Sequence, residues 1–262
     1  MHDYWHKQTV EAPLYPDLLW SRPENKAQAG KLLIAGGNAH GFAAAGDAYA
    51  QAAKAGIGTA RVLLPDSLQK TVGRVFEAGE YAPSTPSGSF GRRGLAELIA
   101  MSAWADAVLL AGDFGRNSET AILLEQFIGK YSGQLTLTKD TADYFTKTPT
   151  ALLARRNTLL VLSFAQLQKI AVNARFTTAF TFDMDFLRLV EALHEFTQKH
   201  QIAVIVKHLQ TVFVAVDGQV STTKLPEDIE IWRVKTAARA TVWWLQNPAK
   251  TFEALATSLI HA

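Results

Sequence analysis

The stretch from Lys26 to Leu64 does most to constrain what this chain can fold into. An apolar run, Leu32-Leu33-Ile34-Ala35, breaks into Gly36-Gly37, and an alanine-rich helical segment follows. Gly56-Ile57-Gly58 then leads into a second apolar run, Ala60-Arg61-Val62-Leu63-Leu64. Two apolar strands joined by a helix and bounded by glycine turns are the parallel crossover unit of an open α/β sheet. Ligands in such sheets gather outside the carboxyl ends of the strands. Gly36 and Gly37 are therefore candidate ligand-facing positions.

The rest of the chain repeats the theme. Pro83 to Gly94 reads as a loop and Leu95 to Trp104 as a helix. Ala107 to Ala111 is a buried strand that breaks at Gly112-Asp113-Phe114-Gly115, followed by a helix carrying Ile122, Leu123, Phe127 and Ile128, capped at Asn117 or Ser118. Leu135 to Thr138, Thr158 to Leu162 and Ile202 to Val206 are short strands. Phe182, Phe186, Leu189, Val190, Leu193 and Phe196 recur at three- and four-residue intervals, which predicts an amphipathic helix. Thr211 to Val216 and Gln219 to Thr222 flank Asp217-Gly218, a hairpin signal. Two helices, Ile229 to Gln246 and Pro248 to Ile260, close the sequence. Residues 1–30, with Pro13, Pro16 and Pro23, read as irregular, and 1–25 as a lead-in to a single domain spanning 1–262.

Bulk properties exclude several classes. A formal charge of +2 is too small to favour nucleic acid or an anionic membrane. With no cysteine, there is no disulfide, thiol nucleophile or cysteine-bound metal. The seven histidines show no metal-ligand spacing, so no metal site is expected. The start, Met1-His2-Asp3-Tyr4-Trp5-His6, lacks a secretory pattern, and no apolar run reaches spanning length; a cytoplasmic protein is expected.

Two phosphate-binding motifs fail on the first glycine turn. A P-loop needs lysine and a hydroxyl residue after its second glycine, whereas Phe42 and Ala43 follow Gly41. A dinucleotide fingerprint needs glycine where Asn38 stands.

Several segments, in order, resemble the ADP- or ATP-dependent NAD(P)H-hydrate dehydratases, a branch of the ribokinase-like superfamily. They are Arg22, Lys26 and Gly30, then Leu32 to Gly37, Ala44-Ala45, Ala52 to Gly58, Ala105 to Thr120, Ala203 to His208 and the hairpin through Asp217-Gly218. The resemblance covers about residues 20 to 222. It implies a ribokinase-like three-layer α/β/α sandwich with a mostly parallel sheet and an antiparallel edge hairpin. It also implies repair of hydrated nicotinamide cofactors: ADP or ATP, with Mg2+, phosphorylates the ring hydroxyl, and loss of phosphate restores NADH or NADPH. On this resemblance Gly36, Gly37, Ala45 and Asp113 would lie near the hydrate, and Lys207 and Thr211 near the adenine nucleotide.

The chain departs from that family at polar positions. The late glycine–aspartate element, whose turn opens a helix onto phosphate and whose aspartate is the base, corresponds to Lys224 to Ala237, which contains no glycine. Arg233 and Val234 fall where its last glycine and aspartate belong. Glu227, Asp228 and Glu230 sit near the expected helix start, where carboxylates compete with a bound phosphate. Asp228 is a weak candidate for a displaced base and is better read as a helix-start carboxylate. Thr138-Lys139-Asp140 lacks the family's first carboxylate, Ser163 to Gln166 lacks its histidine and glutamate, and His208 replaces a glycine. The apolar sheet pattern is kept.

Other residues have plainer roles. Asp113 suits a turn, Lys207 a strand end and His40 a solvated loop. Asp183 and Asp185 suit a helix start, and Trp232, Trp243 and Trp244 suit core packing, although such a surface could also cover a homo-oligomer contact. The expectation is a divergent NAD(P)H-hydrate dehydratase-like protein with impaired or lost activity. The alternatives are a non-catalytic nucleotide-binding or interaction protein and a small-molecule kinase of the ribokinase superfamily.

Overall fold

The computed structural model describes residues 3–73, 76–224 and 232–260. Ten strands form one sheet: β1 (Trp5–Gln8), β2 (Lys31–Gly36), β3 (Thr59–Pro65), β4 (Gly79–Ala82), β5 (Ala107–Gly112), β6 (Gln134–Thr138), β7 (Thr158–Leu162), β8 (Ala203–His208), β9 (Thr211–Val216) and β10 (Gln219–Lys224). Their spatial order is β1-β10-β9-β8-β7-β6-β5-β2-β3-β4. All pairings are parallel except those of β9 with β8 and with β10. The Asp217-Gly218 turn joins β9 to β10 with positive φ at both residues, as a tight hairpin requires.

Alternation along the strands decides the layers. In β2, Leu32 and Ile34 face one core, with Leu33 and Ala35 facing the other; in β5, Ala107 and Leu109 face the first, and Val108 and Leu110 the second. Helices α1 (Ala43–Lys54), α6 (Trp232–Gln246) and α7 (Thr251–Ser258) cover the first face, and α2 (Leu95–Trp104), α3 (Ser118–Lys130), α4 (Phe164–Asn173) and α5 (Phe186–His200) cover the second. These are the three expected layers. Trp243 and Trp244 are buried, in keeping with core packing. The Trp232 side chain lies outside the described set.

Several elements correct the sequence reading. Within the lead-in expected to be irregular, Trp5–Gln8 forms β1, which pairs in parallel with β10 outside the hairpin, and Pro16–Trp20 forms a short helix. Gly79–Ala82, which carries no clear pattern, becomes the opposite edge strand. The amphipathic helix starts at Phe186, later than Phe182, because the Asp185 carboxylate accepts the Arg188 N–H at 2.9 Å and caps it there. Asp185 is thus the helix-start residue its sequence suggests. Among the described residues no helix is long and apolar enough to cross a membrane.

Candidate functional site

The strand order places the cleft. From β2 the chain proceeds outward to β3 and β4, then returns to lay β5 on the other side of β2. The helix after β2, α1, covers one face and the helix after β5, α3, covers the other. The sheet therefore has its topological switch point between β2 and β5, and the crevice beyond their carboxyl ends is where open α/β sheets bind ligands.

Gly36 and Gly112 meet across that crevice. A Cβ on Gly36 would stand 2.5 Å from the Gly112 carbonyl oxygen, so only glycine permits this approach. The Gly37 N–H donates to the same oxygen at 3.0 Å. The chain then turns tightly, with Asn38 N–H donating to Gly41 O at 2.9 Å and Gly41 N–H to Asn38 O at 3.0 Å. This closed turn explains the failed motifs: Asn38 spends its side chain on the protein, its amide donating to Asp113 O at 2.6 Å and its oxygen accepting the His40 N–H at 2.8 Å. His40 itself is exposed.

Asp113 sits at φ 59°, in the left-handed region that aspartate tolerates better than most residues. One carboxylate oxygen accepts the Ala44 N–H at 2.8 Å, at the start of α1, and the other meets Lys139 Nζ at 2.6 Å. The carboxylate thus occupies the positive end of α1. Replacing Asp113 with alanine removes the cap and the ion pair, and should cost about 1–2 kcal/mol; asparagine keeps an acceptor and should cost about half as much. Chemical denaturation of both variants checks this order.

Next to this pair is a second group. Lys139 takes φ 53° on leaving β6. The following Asp140 accepts the Gly115 N–H at 3.0 Å, while its other carboxylate oxygen is buried without a hydrogen bond. Burial raises the Asp140 carboxyl above the usual aspartate range, partly opposed by the backbone N–H groups of Gly115 and Asp113. The Tyr144 hydroxyl donates to Gly115 O at 2.5 Å, and Asn117 caps α3 by accepting the N–H groups of Glu119 and Thr120.

Gln166 joins several polar residues into one network. Its amide nitrogen donates to Lys139 O at 2.7 Å and to Asp143 Oδ1 at 2.9 Å. Its oxygen accepts Ser163 N–H, which closes a capping box on α4, and Arg233 Nη1, both at 3.1 Å. Burial lowers the pKa of the Arg233 guanidinium, while Asp143 and Asp140 act to keep it charged. Lys139, Asp143, Ser163, Gln166 and Arg233 are therefore partners in one hydrogen-bonded network.

The structure brings together Gly36, Gly37 and Asp113 at the switch point. Ala45, in the first turn of α1, is wholly buried, its methyl group packed in the core. Lys207 and Thr211 stand at the same end of the sheet, but on β8 and β9. Strand β8 is three positions from β5, a separation of about 14 Å at ~4.8 Å per strand. His208 is buried, its ring 4.7 Å from that of Phe164. Glu227, Asp228 and Glu230 lie outside the described residues. Tyr144 carries no motif and escapes sequence reasoning; Lys139, Gln166 and Arg233 are visible as departures, but their mutual contact is not. No group of three or more histidine, aspartate or glutamate side chains able to hold a metal occurs among the described residues.

No protein-family model matches the chain, and no curated protein sequence does. Solved structures do. A ribokinase-like superfamily protein from Enterococcus faecalis superposes with a TM-score of 0.74 at 12% identity, over 99% of this chain and 87% of that one. An ADP/ATP-dependent NAD(P)H-hydrate dehydratase from Bacillus subtilis, co-crystallised with ATP and Mg2+, gives 0.62 at 12%, over 94% and 86%. A phosphomethylpyrimidine kinase from Clostridium difficile gives 0.51 at 10%, over 88% and 99%. With the layers, the strand order and these likenesses together, the chain has a ribokinase-like α/β fold.

Proposed function

We propose that this chain is a divergent NAD(P)H-hydrate dehydratase-like protein that has lost ADP- or ATP-dependent dehydration and keeps its cleft as a non-catalytic nucleotide site. The observation that carries the reading is the bond from Arg233 to Gln166 in the first turn of α6. Phosphorylating a ring hydroxyl needs a group that accepts its proton, together with donors arranged around the transferred phosphoryl group. Val234, which falls where the aspartate base belongs, is apolar and buried and accepts no proton. Arg233 beside it, at the glycine position, is tied to the Gln166 side chain, which is spent on four protein partners. A small-molecule kinase requires the same base and meets the same objection.

The ligands that suit the reading are ADP or ATP, with Mg2+ arriving on the nucleotide, and NADH, NADPH or a hydrate. Gly36, Gly37 and Asp113 would border one part of the cleft, and Lys207 and Thr211 the other. Incubation with ADP or ATP, Mg2+ and hydrated NADH should restore no NADH absorbance beyond the protein-free rate. ADP, NADH or NADPH should nevertheless raise the melting temperature. Rapid ADP-dependent recovery, abolished by Asp228→Asn, would overturn the reading by showing that a displaced base works. An absence of any thermal shift would leave an interaction role on the same scaffold.

A further inference from the structure

Three openings run together at the opposite end of the sheet, where the parallel strands begin. The middle one, about 480 Å³, is bordered by Arg156 and Asn157 before β7, Gln198 and Gln201 at the end of α5, and Trp244 near the end of α6. Arg156 also lines a second opening of about 270 Å³ with Lys130, Tyr131 and Arg155. Asn157 and Trp244 also line a third of about 380 Å³ with Asp106 and Gln134. Shared walls make these one groove, on the far side of the sheet from the switch point.

Its chemistry is graded. Lys130, Arg155 and Arg156 cluster in one opening that no carboxylate lines, whereas Asp217 and Asp106 line the other two. Among the described residues none of the three cations forms an ion pair. Arg155 is held in place: it donates to Gly133 O at 2.9 Å, and its guanidinium lies 5.6 Å from the Tyr131 ring centre. Burial pushes the Tyr131 hydroxyl up to about 12, so it brings no negative charge. Between the charged ends stand the side-chain amides of Asn157, Gln198 and Gln201, each offering donors and an acceptor. Asn157 and Gln201 have positive φ, at 52° and 47°, at the abrupt turns into β7 and β8.

We propose that this groove binds a phosphorylated sugar, with the phosphate at Lys130, Arg155 and Arg156 and the hydroxyls against the amides of Asn157, Gln198 and Gln201. Guanidinium forks match phosphate oxygens in pairs, and amides match the mixed donor and acceptor character of adjacent hydroxyls. The site is separate from the switch-point cleft, so it stands or falls independently of the dehydratase-like reading.

Trp244 supplies the readout, since its indole N–H donates to Thr251 Oγ1 at 3.0 Å in the groove wall. Its NMR signal can be assigned by comparison with Trp244→Phe and followed during titration of the full chain with glucose 6-phosphate. Half-saturation is expected below about 1 mM, with glucose alone and inorganic phosphate alone each at least about tenfold weaker. Arg156 and Gln198 are exposed, so their replacement leaves the core intact. Arg156→Ala should weaken binding about tenfold and Gln198→Ala severalfold. Any of three results overturns the proposal: no movement at about 10 mM glucose 6-phosphate, movement that Arg156→Ala leaves unchanged, or movement with a hexaglutamate peptide and not with the sugar phosphate.

Discussion

Gly36→Ala should lower the melting temperature by about 6–12 °C, the equivalent of about 3 kcal/mol in a chain of this size. The added methyl group would stand 2.5 Å from the Gly112 carbonyl oxygen, and both sides of that contact are backbone. No side-chain rotation relieves it. Either β2 and β5 separate at their carboxyl ends, or Gly37 N–H loses its bond to Gly112 O. Overpacking a filled interior costs about 1–3 kcal/mol, and a lost backbone bond adds about 1 kcal/mol. Gly46→Ala is the matched control: it lies inside α1, and its methyl group would meet only the Phe42 ring edge at 4.0 Å. That variant should be stabilised by about 0.5–1 kcal/mol through helix propensity. Thermal melts of the two proteins side by side decide the matter. Equal, small effects would mean that the glycine pair is not a close contact in solution.

Gln166→Leu should cost about 3 kcal/mol. Gln166 is 6% exposed and its amide makes four hydrogen bonds, so leucine strands a carbonyl, a carboxylate oxygen, a backbone N–H and a guanidinium donor. A buried polar group left unpaired costs about 1–3 kcal/mol, reduced here where water reaches the half-buried Arg233 and the exposed Asp143. The loss should be partly recovered when the partner is removed too. Gln166→Leu with Arg233→Leu should cost less than the sum of the single changes, by about 1 kcal/mol. Strict additivity in urea denaturation would show that the two side chains do not interact and would remove the main support for the proposed function.

How much of this was legible in the sequence follows from how local each cause is. Strands β2, β3, β5, β6, β7 and β8 announce themselves as short runs of apolar and β-branched residues, and β9 and β10 as the arms around Asp217-Gly218. The Asn117 and Asp185 caps lie next to the helices they start. Strand β1 could not be read. Trp5-His6-Lys7-Gln8 has no apolar alternation, and its partners lie more than two hundred residues away, as in the bond from Gln8 to Thr223, 215 positions apart. The candidate site divides in the same way. Gly36, Gly37 and Asp113 are found from turns in the chain, whereas the bonds from Lys139 to Asp113 and from Arg233 to Gln166 span 26 and 67 positions. Each of those residues looks like an isolated departure when read along the chain.

Periodicity and glycine placement, being properties of neighbouring residues, determined by themselves that this protein is a mostly parallel, layered α/β structure with a glycine turn at Gly36. Only the tertiary structure decided which strands became neighbours, and so put the switch point between β2 and β5. It also decided that Lys139, Asp143, Gln166 and Arg233 satisfy one another. The physical reason is that hydrogen bonds and ion pairs depend on distance in space: beyond the Ser163 N–H at its own helix start, Gln166 meets Lys139, Asp143 and Arg233 only when the end of β6 and the start of α6 converge on α4.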